Sequence, residues 1–322
     1  MNLLRMNALT SKTRSIERLK QTLNILSIRN HRQFSTIQQG SKYTLGFKKY
    51  LTLLNGEVGS FFHDVPLDLN EHEKTVNMIV EVPRWTTGKF EISKELRFNP
   101  IVQDTKNGKL RFVNNIFPYH GYIHNYGAIP QTWEDPTIEH KLGKCDVALK
   151  GDNDPLDCCE IGSDVLEMGS IKKVKVLGSL ALIDDGELDW KVIVIDVNDP
   201  LSSKIDDLEK IEEYFPGILD TTREWFRKYK VPAGKPLNSF AFHEQYQNSN
   251  KTIQTIKKCH NSWKNSFQDH SRRSMTTCLI QKGLVMVSHL KIVLNPLLKY
   301  RLRCKNGITF NMKIIPSKKM FR

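Results

Sequence analysis

Short apolar runs with a period of two fill the first two thirds of residues 43–265, and a period nearer 3.6 takes over after them. Residues 77–82 alternate apolar and polar positions, and residues 89–92 alternate back after a turn at Thr86, Thr87 and Gly88, which predicts a hairpin. Gly108 marks a second hairpin ahead of residues 109–113. Residues 174–183 and 188–197 are strand-like runs flanking Asp184, Asp185, Gly186 and Glu187, a third hairpin signal. Ile205, Leu208 and Ile211 then share one face of a helix entered through Ser202 or Ser203, and residues 218–231 read as a second helix ending at Pro232. Ile253, Ile256, His260 and Trp263 predict a third. Many short strands followed by helices imply an α+β fold with a mainly β core, a small barrel with helices packed outside it. No repeat and no Gly/Ser- or Pro-rich linker divides residues 43–265, so they form one domain.

Charge changes the picture at the ends. The chain of 322 residues carries a formal charge of +13, yet residues 1–42 hold eight Lys/Arg against one acid and residues 266–322 hold twelve against one. The stretch between has 28 basic and 33 acidic residues, which removes the main reason to expect a binder of nucleic-acid backbone. In the N-terminal segment Ile16, Leu19, Leu23 and Leu26 recur at spacings of three and four among Arg, Lys, Ser and Thr. This amphipathic, acid-poor pattern is that of a mitochondrial transit peptide, with residues 32–35 as a processing site, so a location in the mitochondrion, in its matrix, is expected. Six cysteines, at 145, 158, 159, 259, 278 and 304, form no CxxC pair, which speaks against a zinc ribbon or a secreted disulfide scaffold.

The densest chemistry is GDNDPLD at 151–157. Asp152, Asp154 and Asp157 place three carboxylates within six residues, on a stretch that Gly151, Asn153 and Pro155 keep irregular. Two carboxylates ~4 Å apart repel by roughly 4 kcal/mol at an effective dielectric of about 20, so a hard divalent cation with oxygen ligands is their natural companion. A calcium EF-hand is excluded, because its sixth and twelfth positions would be Asp157 and Ser163 in place of Gly and Glu. An isolated Asp-x-Asp is more often a solvated turn. Other alternating charges shift that balance. Asp189 and Lys191 point to one side of a strand, and Glu81, Lys89 and Glu91 do the same on the first predicted hairpin, with Phe90 and Ile92 directed away. A face carrying these residues with Asp184 is poorly explained as core and well explained as a site for metals and a polyanion.

The segments EVPRWTTGKFE (81–91), KLRFV (109–113), HGYIHNYGAIPQTWEDP (120–136), GDNDPLDCCEIG (151–162), DDGELDWKV (184–192) and EWFRKYKVPAGKP (224–236) resemble those of the family I inorganic pyrophosphatases, in the family's order. The resemblance spans about residues 43–265 and implies a five-stranded OB-like β-barrel with flanking α-helices. It implies hydrolysis of pyrophosphate by direct attack of water, with several Mg2+ ions per site and a homodimer. Asp152, Asp157 and Asp189 would bind one metal, Asp157 being shared with a second. Asp184 and Asp189 would hold a third with the substrate, Glu91 would help a fourth, and Glu81 would act through water. Lys89, Arg111, Lys191, Tyr229 and Lys230 match positions that grip diphosphate oxygens. Tyr126 would lie near the attacking water, and Asp154 resembles the general base. Tyr122 also matches a family position, although a ring in a packed strand serves equally as core.

Two other classes compete. An OB-like barrel could bind nucleic acid, but carboxylates dominate the charged face and would repel a phosphate backbone. An inactive adaptor would require a lost motif position, and those above all carry the expected residue type. The resemblance stops near residue 266. Beyond Asp269 there is no acidic residue, and the apolar run at 284–298 is interrupted by His289 and Lys291, a poor membrane span. Such a shift of composition looks like a changed reading frame, giving a tail dispensable for chemistry; a basic tail that binds anionic membrane is the competing account.

Overall fold

The computed structural model describes residues 34–141 and 148–281, with four short strands beyond them between 285 and 310. The expected N-terminal helix falls outside the described residues, as does most of the 284–298 run. Two compact units divide the chain, Met1–Trp263 and Lys264–Arg322. In the second unit, Val285–Val287 pairs antiparallel with Lys291–Val293, and Leu302–Arg303 with Thr309–Phe310. Among the described residues no helix is long and apolar enough to cross a membrane.

In the first unit the strands run, in chain order, β1 (Ser35–Gln39), β2 (Lys48–Thr52), β3 (Val58–Gly59), β4 (Thr75–Val82), β5 (Phe90–Ile92), β6 (Ile101–Gln103), β7 (Thr105–Lys106), β8 (Lys109–Leu110), β9 (Asn125–Ala128), β10 (Glu139–Lys141), β11 (Ala148–Lys150), β12 (Asp157–Glu160), β13 (Ile171–Asp184), β14 (Glu187–Asp196), β15 (Ser239–Phe240) and β16 (Gln247–Asn248). The helices are α1 (Leu208–Tyr214), α2 (Ile218–Lys228) and α3 (Ser249–Gln281). This is a mostly β architecture with few helices. β1 pairs along its length with β2, so sheet structure begins ahead of residue 43, where the domain was expected to start.

The main sheet pairs β14 with β12, β12 with β9, β9 with β4 and β4 with β13; β13 then pairs with β14, so the ladder returns to its first strand. Only β12 and β14 run parallel in this circuit. The fourteen-residue β13 pairs with β4 over Ile171–Lys175, with β14 over Val174–Asp184, and with β15 and β16 in its C-terminal half. Its register with β14 shifts at a bulge between Val176 and Gly178, where local twist rises. Alternation along β14 separates its faces. Leu188, Trp190, Val192 and Val194 join an apolar cluster that receives Ile253 and Ile256 of α3. Ile193 and Ile195 point into a second cluster that receives Trp225 and Phe226 of α2, and the residues preceding them on that face are Lys191 and Asp189. One strand face therefore passes from apolar to charged along its length, which fixes where a site can lie.

The 174–183/188–197 hairpin forms as the pattern predicts, with Asp184 opposite Glu187 and a two-residue turn at Asp185 and Gly186, both at positive φ. The Gly108 hairpin also forms, between β7 and β8. The hairpin expected between residues 77–82 and 89–92 does not. Both edges of β4 are taken, by β9 and β13, so β5 joins β6 instead. Residues 111–113 run beside 87–89, with Lys89 N donating to Arg111 O at 3.1 Å and Val113 N to Thr87 O at 2.8 Å. α1 starts later than Ser202 or Ser203. Its N-cap is Asp207, which accepts from Lys210 N at 2.9 Å, while Ser202 Oγ donates to Val197 O. α2 closes at Lys228, and Val231–Ala233 forms a 3-10 turn around Pro232. Ile253, Ile256, His260 and Trp263 lie on α3 as expected.

At Gly127 of β9 a Cβ would sit 1.9 Å from the carbonyl oxygen of Ile79 in β4. Gly127→Ala is expected to lower stability by roughly 2–4 kcal/mol, because two paired backbones must separate; urea unfolding checks this, and a loss under about 0.5 kcal/mol would contradict it.

Candidate active site

Where the charged face of β14 meets the 151–156 loop, β4, β5 and the end of α2, a cavity of about 260 Å³ opens. All thirteen residues singled out from the sequence line it: Glu81, Lys89, Glu91, Arg111, Tyr126, Asp152, Asp154, Asp157, Asp184, Asp189, Lys191, Tyr229 and Lys230. Each arrives by a local device. Glu81 lies at a register shift between Val80 and Val82, and its Oε1 accepts from Ile92 N at 2.7 Å, tying β4 to the β5 segment that carries Lys89 and Glu91. Asp157 opens β12 directly opposite Lys191 of β14. Tyr126 sits opposite Cys159 on the other edge of β12. The loop ahead of β12 is held by Asp152, whose Oδ1 accepts from Asp154 N at 2.9 Å, and by Asn153 at φ 70°.

The cations inside are shared between carboxylates. Lys191, 2% exposed, places Nζ 2.6 Å from Asp189 Oδ1 and 3.0 Å from the Tyr126 hydroxyl, and it also pairs with Asp157. The Tyr126 hydroxyl donates to Asp157. Lys89 is 2.8 Å from Glu91 and 3.3 Å from Asp104, which also holds Arg111. Tyr229 donates to Asp184 at 2.8 Å, and Lys230 pairs with the same carboxylate. Tyr122 is 4% exposed, with its ring 5.0 Å from Tyr126 and 5.3 Å from Trp225, so it is packed core at the wall of the cavity.

Three contributors were passed over. Asp104 binds Lys89 and Arg111 together, Lys94 pairs with Asp154 and donates to Asn153 O at 2.8 Å, and Glu134 is buried beside Asp152 and Asp189. For Glu134 a signal existed, an acid following the largely apolar segment 126–133.

Asp152, Asp189, Glu81 and Glu91 are held largely out of water, and their protons bind more tightly as a result. Burial, then repulsion from Asp189, Asp154 and Asp157, pushes Asp152 up to about 8. Burial raises Asp189 to about 7, with Asp157 adding and Lys191 opposing. Glu81, by burial and then Asp157, lies well above the usual carboxylate range, and burial raises Glu91 as well. For Lys191 burial works against the charged form, but Asp157 and Asp189 outweigh it and hold the ammonium charged. Oxygen atoms of Glu134, Asp152 and Asp189 lie within 4.8 Å of one another, and Glu134 Oε2 is buried without a hydrogen-bond partner. An all-oxygen, net-anionic cluster fits a hard divalent cation.

A mostly β protein whose strand ends gather carboxylates for cations beside Lys, Arg and Tyr for a polyanion belongs to the class of metal-assisted phosphate hydrolases. The sequence profile of the inorganic pyrophosphatase family matches residues 78–264. An inorganic pyrophosphatase of Candida albicans is 56% identical over 238 residues, 74% of this chain and 81% of that protein. One from Debaryomyces hansenii is 56% identical over 230 residues, covering 71% and 78%. The solved inorganic pyrophosphatase of Schistosoma japonicum superposes with a TM-score of 0.68 at 49% identity, covering 71% of this chain and 79% of that one. The chain belongs to the inorganic pyrophosphatase family.

The raised carboxylates set a pH dependence for the metal-free protein. Asp152 and Asp189 hold protons in the fold that they have lost in the unfolded chain, where carboxylates titrate near 4. Their contribution to stability is therefore lost as pH rises through about 7 to 8. In chelator, unfolding free energy is expected to fall by about 1–2 kcal/mol between pH 7 and 8.5, and Mg2+ is expected to remove most of that fall by taking the place of the protons. Denaturant titrations at the two pH values, with and without Mg2+, measure it; a flat or rising metal-free curve would contradict the assignment.

Proposed function

We propose that the chain hydrolyses inorganic pyrophosphate to two phosphates by a direct, metal-assisted attack of water. The observation that carries this reading is the convergence of all thirteen motif residues, from six separate segments, on one cavity in a member of the pyrophosphatase family. Mg2+ is the expected cation, since the donors are carboxylate oxygens. A hard divalent cation there neutralises phosphate oxygens and lowers the pKa of water at the site.

The chain's own residues supply the rest. Asp152, Asp157 and Asp189 are assigned to one cation, with Asp157 shared by a second, Asp184 and Asp189 to a third, and Glu91 to a fourth. Glu81 holds its place by the Ile92 N–H and acts through water. Lys89, Arg111, Lys191, Tyr229 and Lys230 are assigned to the diphosphate oxygens, and the carboxylates they pair with now are the partners a bound anion would replace. Asp154 takes the proton from the attacking water, near Tyr126. A P–O bond forms to that oxygen as the bridging P–O bond breaks, and Lys and Arg stabilise charge on the leaving phosphate. No covalent intermediate with the protein is required.

The closed strand circuit β14–β12–β9–β4–β13 supports reading the core as the five-stranded OB-like barrel of family I. By the same resemblance the enzyme is a homodimer, and it does not take nucleic acid as a partner, since carboxylates dominate its cavity. The acid-poor segment 1–42 supports a mitochondrial location, and β1 starting at Ser35 is compatible with processing there. A reporter fused to residues 1–42 that stayed in the cytosol would refute that.

Release of phosphate from pyrophosphate should require Mg2+ and stop in excess chelator; undiminished turnover in chelator would overturn the proposal. Asp154→Asn is expected to lower kcat by about 10² to 10⁴, the range for a lost general base, with a much smaller effect on pyrophosphate binding. Near-normal turnover at neutral pH would show that Asp154 is not the base. Truncation after Ser266 is expected to keep activity per site, because the described residues that line the cavity all fall within 81–230; collapse of turnover with the strands still folded would show that the tail completes the enzyme.

A further inference from the structure

Glu134 has no role in the motif pattern, yet it is placed as though the site were built against it. It is 3% exposed. Its backbone laces the 151–157 loop: Glu134 N donates to Asp154 O at 2.8 Å, and Glu134 O accepts from Asn153 N at 2.9 Å. Gly151 approaches so closely that a Cβ there would meet the Glu134 carbonyl at 2.4 Å. Its side chain reaches the other wall, where Oε1 accepts from Trp190 N at 3.0 Å, between Asp189 and Lys191. One residue thus spans the two segments that carry Asp152, Asp154, Asp157 and Asp189.

The second carboxylate oxygen is the informative one. Oε2 is buried with no hydrogen-bond donor, and the side chain converges with Asp152 and Asp189 to within 4.8 Å. A buried carboxylate oxygen left without a donor is costly, and holding Trp190 N needs only one oxygen, which an amide would supply as well. Lys191 neutralises Asp157 and Asp189, whereas the charges acting on Glu134 are the repelling carboxylates Asp152, Asp189 and Asp157. What is missing at Oε2 is positive charge.

Building on the proposed pyrophosphatase activity, we propose that Glu134 is a positioning residue for the first divalent cation. Its free oxygen joins Asp152 and Asp189 in the cluster that draws the cation in, and its other oxygen keeps β14 and the 151–157 loop at the right separation.

Glu134→Gln keeps the acceptor for Trp190 N and removes only the negative charge. In the full-length protein, Mn2+ binding followed by electron paramagnetic resonance is expected to show the tightest site weakened by about 10- to 100-fold, the usual range for groups that support metal ligands. Melting in chelator is expected at or above the wild-type temperature, since a neutral amide suits the buried position at least as well as a carboxyl group crowded by Asp152 and Asp189. The Mg2+ concentration for half-maximal hydrolysis should rise similarly, with kcat at saturating Mg2+ largely recovered. Wild-type Mn2+ affinity in Glu134→Gln would overturn the inference, and so would a lost kcat that no Mg2+ concentration restores. Should Glu134→Gln fail to fold, Glu134→Asp, which keeps the charge and shortens its reach, is measured in the same way; unchanged Mn2+ affinity there also overturns it. Failure of the underlying function would appear separately, as a wild-type protein that binds Mn2+ but does not release phosphate from pyrophosphate.

Discussion

Mutual repulsion among carboxylates held away from water is the constraint on which the site end of this protein depends. Asp152, Asp157, Asp189, Glu81 and Glu134 cannot all be ionised in one small cavity without positive charge close by. Lys191 carries part of that load by bridging Asp157 and Asp189, and protons on Asp152 and Asp189 carry another part. A site that repels itself in this way gains most from a bound cation, and once its carboxylates are neutralised its Lys and Arg partners are the more readily given up to a phosphate anion.

The strand circuit makes such crowding tolerable. Backbone hydrogen bonds are satisfied from strand to strand around β14, β12, β9, β4 and β13, so the charged ends hang from a frame stabilised elsewhere. Alternation sends Leu188, Trp190, Val192 and Val194 to one apolar cluster, while the opposite face runs from Ile195 and Ile193 to Lys191 and Asp189. Trp225 and Phe226 of α2 seal the apolar half of that face, and Tyr229 at the helix end reaches Asp184 at the cavity rim. Stability and function thus occupy successive stretches of the same strands, and the register that serves one aligns the other.

Much of this was legible in the chain. The 174–183/188–197 hairpin announced itself because Asp185 and Gly186 suit a turn with two positive φ angles, and the third helix because Ile253 and Ile256 repeat at helical spacing. Local pattern failed where partners were decided at a distance. Residues 89–92 look like the return strand of a hairpin with 77–82, but the edges of β4 go to β9 and β13, both distant in sequence. α1 is capped by Asp207 and not by Ser202 or Ser203, and Lys175 of β13 takes up the carbonyls of Ser202 and Ile205.

The sequence by itself determined which residues are candidates for the chemistry. Charge, turn residues and resemblance to a family's segments can be read along the chain, and the thirteen candidates they selected line the cavity. Only the tertiary structure decided which charges share a partner. Asp104 and Arg111, Lys94 and Asp154, and Glu134 with Asp152 and Asp189 are separated along the chain and meet through sheet pairing and loop closure. For Glu134 the apolar stretch before it hinted at burial, but its partners are set by the 151–157 loop and by β14, neither of which adjoins it in sequence. The energy of a charge depends on the dielectric and the charges around it in space, and those are fixed only when the strands close.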